Sequence, residues 1–157
     1  MIKLIQALLT SLFVIMIIDF FIFLGMQFHY LDFYKVPEFF NPFFWDNQSY
    51  YILLPSTVIL TVMILFLKKP KILMHIVMSI LVLISIASTF ISSFGFWLGK
   101  TILVQDNIVL EDSRYTYRGN IYFEGRSTVL FYDKETKKLF ELEKTDIIKK
   151  ENFEKNY

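Results

Sequence analysis

Three long stretches with almost no charge decide what this chain can become. Leu4–Phe28 is an apolar run interrupted only by Asp19, and neither Tyr51–Leu67 nor Ile72–Leu98 carries any charge. A helix needs roughly 20 apolar residues to cross about 30 Å of hydrocarbon, so the first and third runs are long enough and the second is just adequate. The lengths predict three transmembrane helices, at about 4–28, 51–67 and 72–98, in a transmembrane domain covering residues 1–98. An apolar share of 55% and an aromatic share of 18% exceed what an ordinary soluble domain carries. Lys3 precedes the first run as in a signal peptide. The run is longer than a signal h-region, however, and no small-x-small site follows Phe28, so it reads as an uncleaved signal anchor.

Charge divides the chain in the same place. Residues 1–98 hold five Lys and four acids, while residues 99–157 hold eleven basic and eleven acidic groups. Lys68, Lys69 and Lys71 cluster between the second and third runs, whereas the segment His29–Ser49 has one Lys against three acids. Basic residues beside short loops mark the cytoplasmic side. The expected topology is a multi-pass protein of the cell membrane, the inner membrane in a bacterium, with its N-terminus cytoplasmic and residues 99–157 extracytoplasmic. The segment 29–50 is rich in aromatics, among them Phe43, Phe44, Trp45, Tyr50 and Tyr51 at its end, which suits an aromatic belt at headgroup level. Pro37 and Pro42 interrupt it, so it is expected to lie along the outer interface.

Beyond residue 98 the pattern changes to short alternating runs of β-branched and aromatic residues at 101–105, 108–110, 115–117, 120–124, 128–132 and 138–142. Turns are expected at Asp106-Asn107, Arg118-Gly119, Glu124-Gly125-Arg126 and Asp133–Lys137, with residues 146–148 closing the sheet. The reading is a β-meander or small barrel of about five strands, with a spacing similar to small SH3-like or OB-like barrels. The fold class is therefore an α+β membrane protein, three helices followed by a small β-rich extracytoplasmic domain. So short a segment buries only a small core, and this domain is expected to lean on a neighbour.

Asp19 is the most informative single residue, because a carboxylate inside a membrane helix is costly and defaults to a functional hypothesis. It falls roughly 4 to 5 Å to the outer side of the midplane at about 1.5 Å rise per residue. At that level the neighbouring helices offer Ser56, Thr57, Ser85 and Ser88, which defines a candidate intramembrane polar node. Its first reading is interhelical packing or a partner contact, its second a proton or cation relay. On the third run Ser85, Ser88, Ser92, Gly95 and Gly99 recur at steps of three and four, which predicts a seam of small residues for close helix packing.

Nothing in the chain points to catalysis. It has no cysteine and only His29 and His75, so thiol chemistry, cysteine-containing zinc sites and Fe–S clusters are ruled out. No nucleophile elbow, zinc-protease helix or phosphate loop is present. A triad around His29 would have to draw on Asp32 or Asp46 and Ser49, and His29 is more simply an interfacial histidine. His75 reads as a headgroup contact, and Arg114, Arg118 and Arg126 as a charged rim. No cofactor, metal or catalytic residue is expected, and a β-domain of zero formal charge argues against nucleic acid. The partners expected are the lipid bilayer and either another membrane protein or further copies of this chain. The expected function is a non-catalytic accessory, assembly or scaffold subunit of a membrane complex. The alternatives are an immunity-type antagonist of a membrane-active toxin and an oligomeric ion or proton pathway using Asp19.

Overall fold

The computed structural model describes residues 1–66 and 71–152. They form helices followed by an antiparallel sheet and divide into two compact units, Met1–Leu98 and Gly99–Tyr157.

In the first unit, α1 (Ile2–Met26) contains no Pro and no Gly before Gly25, and it runs on through a π-helical turn at Gln27–Leu31. The resulting helix, Ile2–Leu31, is long and apolar enough to cross a bilayer by itself. It carries the first span past its expected end at Phe28. α3 (Tyr50–Phe66) and α4 (Lys71–Phe90) both pack along α1 and make little contact with each other. Helices approach closely where the side chains between them are small. On the buried faces here these are Ala7 and Ser11 of α1, Thr57 and Thr61 of α3, and Ser85 and Ser88 of α4. Pro55 sits in the second turn of α3.

The third predicted helix is not continuous. It breaks at Ile91, and α5 (Ser92–Leu103) leaves α4 at 99°. Sharp kinks form at Ser and Gly clusters, and Ser92-Ser93 followed by Gly95 is such a cluster. The segment 29–50 is not a simple interfacial loop either. It holds a short helix, α2 (Phe40–Asp46), set at 76° to α3. Pro42 falls in the first turn of α2, where a missing amide costs nothing. Phe43 and Phe44 are buried, with ring centroids 5.3 and 5.4 Å from Phe23 of α1. Phe23 stands well before the helix end at Leu31, so α2 folds back about 12 Å along α1. Trp45, Tyr50 and Tyr51 remain exposed.

The second unit is a five-stranded antiparallel sheet in the order β4-β3-β2-β1-β5. Its strands are β1 (Gln105–Asp112), β2 (Thr116–Glu124), β3 (Thr128–Asp133), β4 (Lys138–Glu143) and β5 (Ile147–Asn152). A 3-10 turn at Lys144–Asp146 returns the chain so that β5 pairs with β1. β1 to β4 follow one another as a meander, and β5 comes back to the free side of β1. Ile108, Leu110, Ile121, Val129 and Phe131 form the core, with Tyr117, Phe140, Leu142 and Ile147 packed against it. Inward residues alternate along β2 and β3 as the pleat requires.

Three local expectations change in this unit. Thr101–Leu103 belong to α5 and not to a strand. Asp106-Asn107 is a bulge within β1, with Asn107 in the left-handed region at φ 57°. Arg118-Gly119 is not a turn but the middle of β2. Any Cβ on Gly119 would collide with the Tyr132 carbonyl oxygen, so glycine is there for strand packing.

Candidate functional site

A closely packed polar region of the helical unit lies where α1, α4 and the start of α5 cross. A Cβ on Gly25 would stand 2.5 Å from both the carbonyl oxygen and Oγ of Ser88. One on Gly95 would stand 2.6 Å from Cδ2 of His29 and 2.7 Å from the carbonyl oxygens of Gly25 and Ser88. The two glycines are therefore what allows the three backbones to meet. The break at Ile91 ends the α4 ladder, whose last amide, that of Ile91, donates to the Ala87 carbonyl at 2.9 Å. The carbonyls next in line belong to a helix C-terminus and need other donors. His29 supplies one: its Nε2 lies 2.8 Å from the Thr89 carbonyl oxygen. A carbonyl only accepts, so Nε2 carries the proton in this contact. The π turn at Gln27–Leu31 is what swings the His29 ring to that point. In return the Ser88 hydroxyl donates to the Phe21 carbonyl at 2.9 Å, sharing its proton with the Ser85 carbonyl at 2.6 Å, and Thr89 Oγ1 reaches Phe21 at 3.4 Å. Rings of Tyr30, Phe33 and Tyr34 close around Phe96 of α5 at 5.1 to 6.1 Å and cover this junction.

Because α3 and α4 flank α1 without packing together, a groove of about 330 Å³ opens between them with α1 as its floor. Asp19 and Ser56 are its two polar residues, and the remaining lining residues are apolar, from Ile15 and Ile18 of α1 to Met63 of α3 and Met78 of α4. Among the described residues, none donates a hydrogen bond or ion pair to the Asp19 carboxyl.

The residues read as a polar node are engaged as follows. Ser56 shares the groove with Asp19, but the Thr57 hydroxyl donates to the Leu53 carbonyl at 2.8 Å, that of Ser85 to Val82 at 2.7 Å, and that of Ser88 to Phe21. The seam divides. Ser85, Ser88, Gly95 and Gly99 are buried, while Ser92, just past the break, is exposed. Lys68 and Lys69 lie outside the described residues, and Lys71 opens α4. His75 is exposed on α4. Among the described residues no three His, Asp or Glu side chains gather where a metal ion would be held. Gly25, His29 and the Phe21 carbonyl are the members of the crossing that sequence reasoning missed. The lone glycine in the first apolar run was the available signal.

In the sheet unit Glu124, at the end of β2, is a carboxylate held by two lysines. It pairs with Lys144 at 3.0 Å and Lys150 at 2.6 Å, and accepts from Gln105 Nε2 at 3.3 Å. Partial burial alone would raise its pKa, but the two lysines outweigh that and bring it from 4.5 down to about 2. The clasp ties β2 to β5 across the intervening β1 and lines a cleft of about 170 Å³ with Leu110, Ile121 and Val129. Asp133 ends β3 and is buried, which opposes its ionisation. Hydrogen bonds from the Thr136 hydroxyl at 2.7 Å and the amides of Glu135 and Thr136 at 3.1 and 3.2 Å prevail and hold it below its ordinary value. It fixes the β3–β4 hairpin.

The chain matches no known protein family, no curated protein and no solved structure.

Proposed function

We propose that this chain is an integral membrane protein of three spans with a cytoplasmic N-terminus, and that it serves as a non-catalytic accessory, assembly or scaffold subunit of a larger membrane complex. In this reading α2 with α3, and α4 with α5, each act as one bent span beside the straight span of α1. The observation that carries the reading is the open sheet of the second unit. Its order ends on β4 at one side and β5 at the other, each hydrogen-bonded to a single neighbour. Strand edges of this kind pair with other chains. β4 also leaves Leu139, Glu141 and Glu143 exposed. The small-residue seam contributes mainly to packing inside the chain, since Ser88 and Gly95 are taken up by α1, so the partner surface is assigned to the sheet.

The test is purification of a C-terminally tagged protein in a mild detergent at native expression level, with a photocrosslinker on a cysteine introduced at Leu139. The absence of native cysteine makes that label unique. A stoichiometric membrane protein crosslinked at that position is the expected outcome. A monodisperse protein that is stable and active alone refutes the reading. The conduction alternative gains nothing from the groove, whose walls carry no file of polar groups beyond Asp19 and Ser56.

A further inference from the structure

We propose that the groove between α3 and α4 is a binding site for an amphiphilic primary amine, its ammonium on Asp19 and its alkyl chain along the apolar walls. The inference goes beyond the subunit reading and needs only that α1 spans a bilayer. Size comes first: about 330 Å³ lies within the range of small-ligand sites and accepts a chain, not a helix of about 10 Å diameter. Lining follows the usual recipe of such sites, an apolar wall with a few polar groups that fix orientation. Here the wall includes Ile18, Ile59, Met63, Met78 and Leu81, and methionines adapt their shape to an alkyl chain.

Asp19 and Ser56 decide which head group fits. Neither side chain is engaged by another described residue, and a carboxyl held away from water without a donor is costly. A ligand that donates hydrogen bonds and carries a positive charge would pair with this carboxyl as a carboxylate. An ammonium brings three donors and the complementary charge, an alcohol brings one donor and no charge, and a quaternary ammonium brings charge without a donor. Depth narrows the class further. Asp19 sits in the central part of the Ile2–Leu31 helix, roughly 4 Å from its midpoint. A lipid head group at the membrane surface does not reach it, so the ligand enters laterally from the hydrocarbon.

The experiment uses the full-length protein, purified alone and reconstituted in phosphatidylcholine nanodiscs, with a dodecylamine carrying a diazirine near the tail end. Photolabel is expected on groove residues such as Met63 and Met78. Excess dodecylamine should compete it away, and dodecanol and dodecyltrimethylammonium should not. Asp19→Asn should reduce labelling at least about tenfold, the worth of one charge-assisted hydrogen bond away from water, with an unchanged circular dichroism spectrum. Leu81→Trp, which fills the groove and leaves Asp19 in place, should block labelling equally and covers the case that Asp19→Asn does not fold. Equal competition by dodecanol, undiminished labelling of Asp19→Asn, or label confined to residues outside the groove overturns the proposal. Because no partner protein is present, the result is independent of whether the subunit reading holds.

Discussion

Gly25→Ala separates two accounts of the helical unit by the sign of its effect. On helix propensity alone, alanine should stabilise α1 by about 1 kcal/mol relative to glycine. The crossing predicts the reverse. The new Cβ would lie 2.5 Å from the Ser88 carbonyl oxygen, where ordinary contact begins at 3.4 Å. Backbone atoms cannot rotate away, so α1 and α4 must part by about 0.9 Å. That carries the Ser88–Phe21 hydrogen bond from 2.9 Å to about 3.8 Å, beyond useful range. Overpacking of this kind costs about 1 to 3 kcal/mol, and an interhelical hydrogen bond in a membrane about 0.6 to 1.7. After the propensity gain, a net loss of roughly 1 to 3 kcal/mol remains. The assay is unfolding of the reconstituted protein by titration with sodium dodecyl sulfate, followed by helix circular dichroism. Ser88→Ala serves as the companion that loses the bond but not the clearance, and should cost less than about 1.7 kcal/mol. A Gly25→Ala protein as stable as wild type, or more so, refutes the close crossing.

Other outcomes follow from the same geometry. His29→Ala leaves the Thr89 carbonyl without its donor and should destabilise the α4–α5 bend by about 1 to 2 kcal/mol, read as faster hydrogen exchange over residues 89–95. Glu124 has a depressed pKa in the fold, so its contribution is present above the unfolded value of 4.5 and lost as pH falls toward about 2. Unscreened, that span corresponds to about 3 kcal/mol. The carboxylate is 30% exposed and its lysines 36 and 37%, and screening reduces the figure to about 1 to 1.5 kcal/mol. The protection free energy at β5, with the intrinsic exchange rate divided out, should therefore fall between pH 4.5 and 2 in the wild type, and Glu124→Gln should be weaker at neutral pH and flat across that interval. Gly119→Val places a branched side chain against the Tyr132 carbonyl and should cost about 3 kcal/mol, with loss of the β2–β3 cross-peaks by NMR; a silent substitution would contradict the observed register.

Much of the outline was legible in the sequence because it rests on local periodicity. Apolar runs as long as Leu4–Phe28 and Ile72–Leu98 favour helices, and the alternation read from residue 101 favours strands, a boundary set too early because Thr101–Leu103 are still helical. The Asp133–Lys137 hairpin was legible too, since its turn chemistry is carried by adjacent residues. The site was much less so. Asp19 stood out through its charge, whereas Gly25 and His29 matter only because Ser88, Gly95 and Thr89, far along the chain, come to meet them.

What the sequence determined alone, then, is the order of the chain, long apolar helices first and a charged antiparallel sheet after them, because hydrophobicity and β-propensity act within a window of a few residues. Tertiary structure alone decided the bend at Ile91, the return of α2 onto Phe23, the groove under Asp19 and the Glu124 clasp. Each depends on contact between segments far apart in the chain. Whether a serine cluster stays helical or kinks, and whether a glycine makes a turn or a close approach, is set by the segment packed against it.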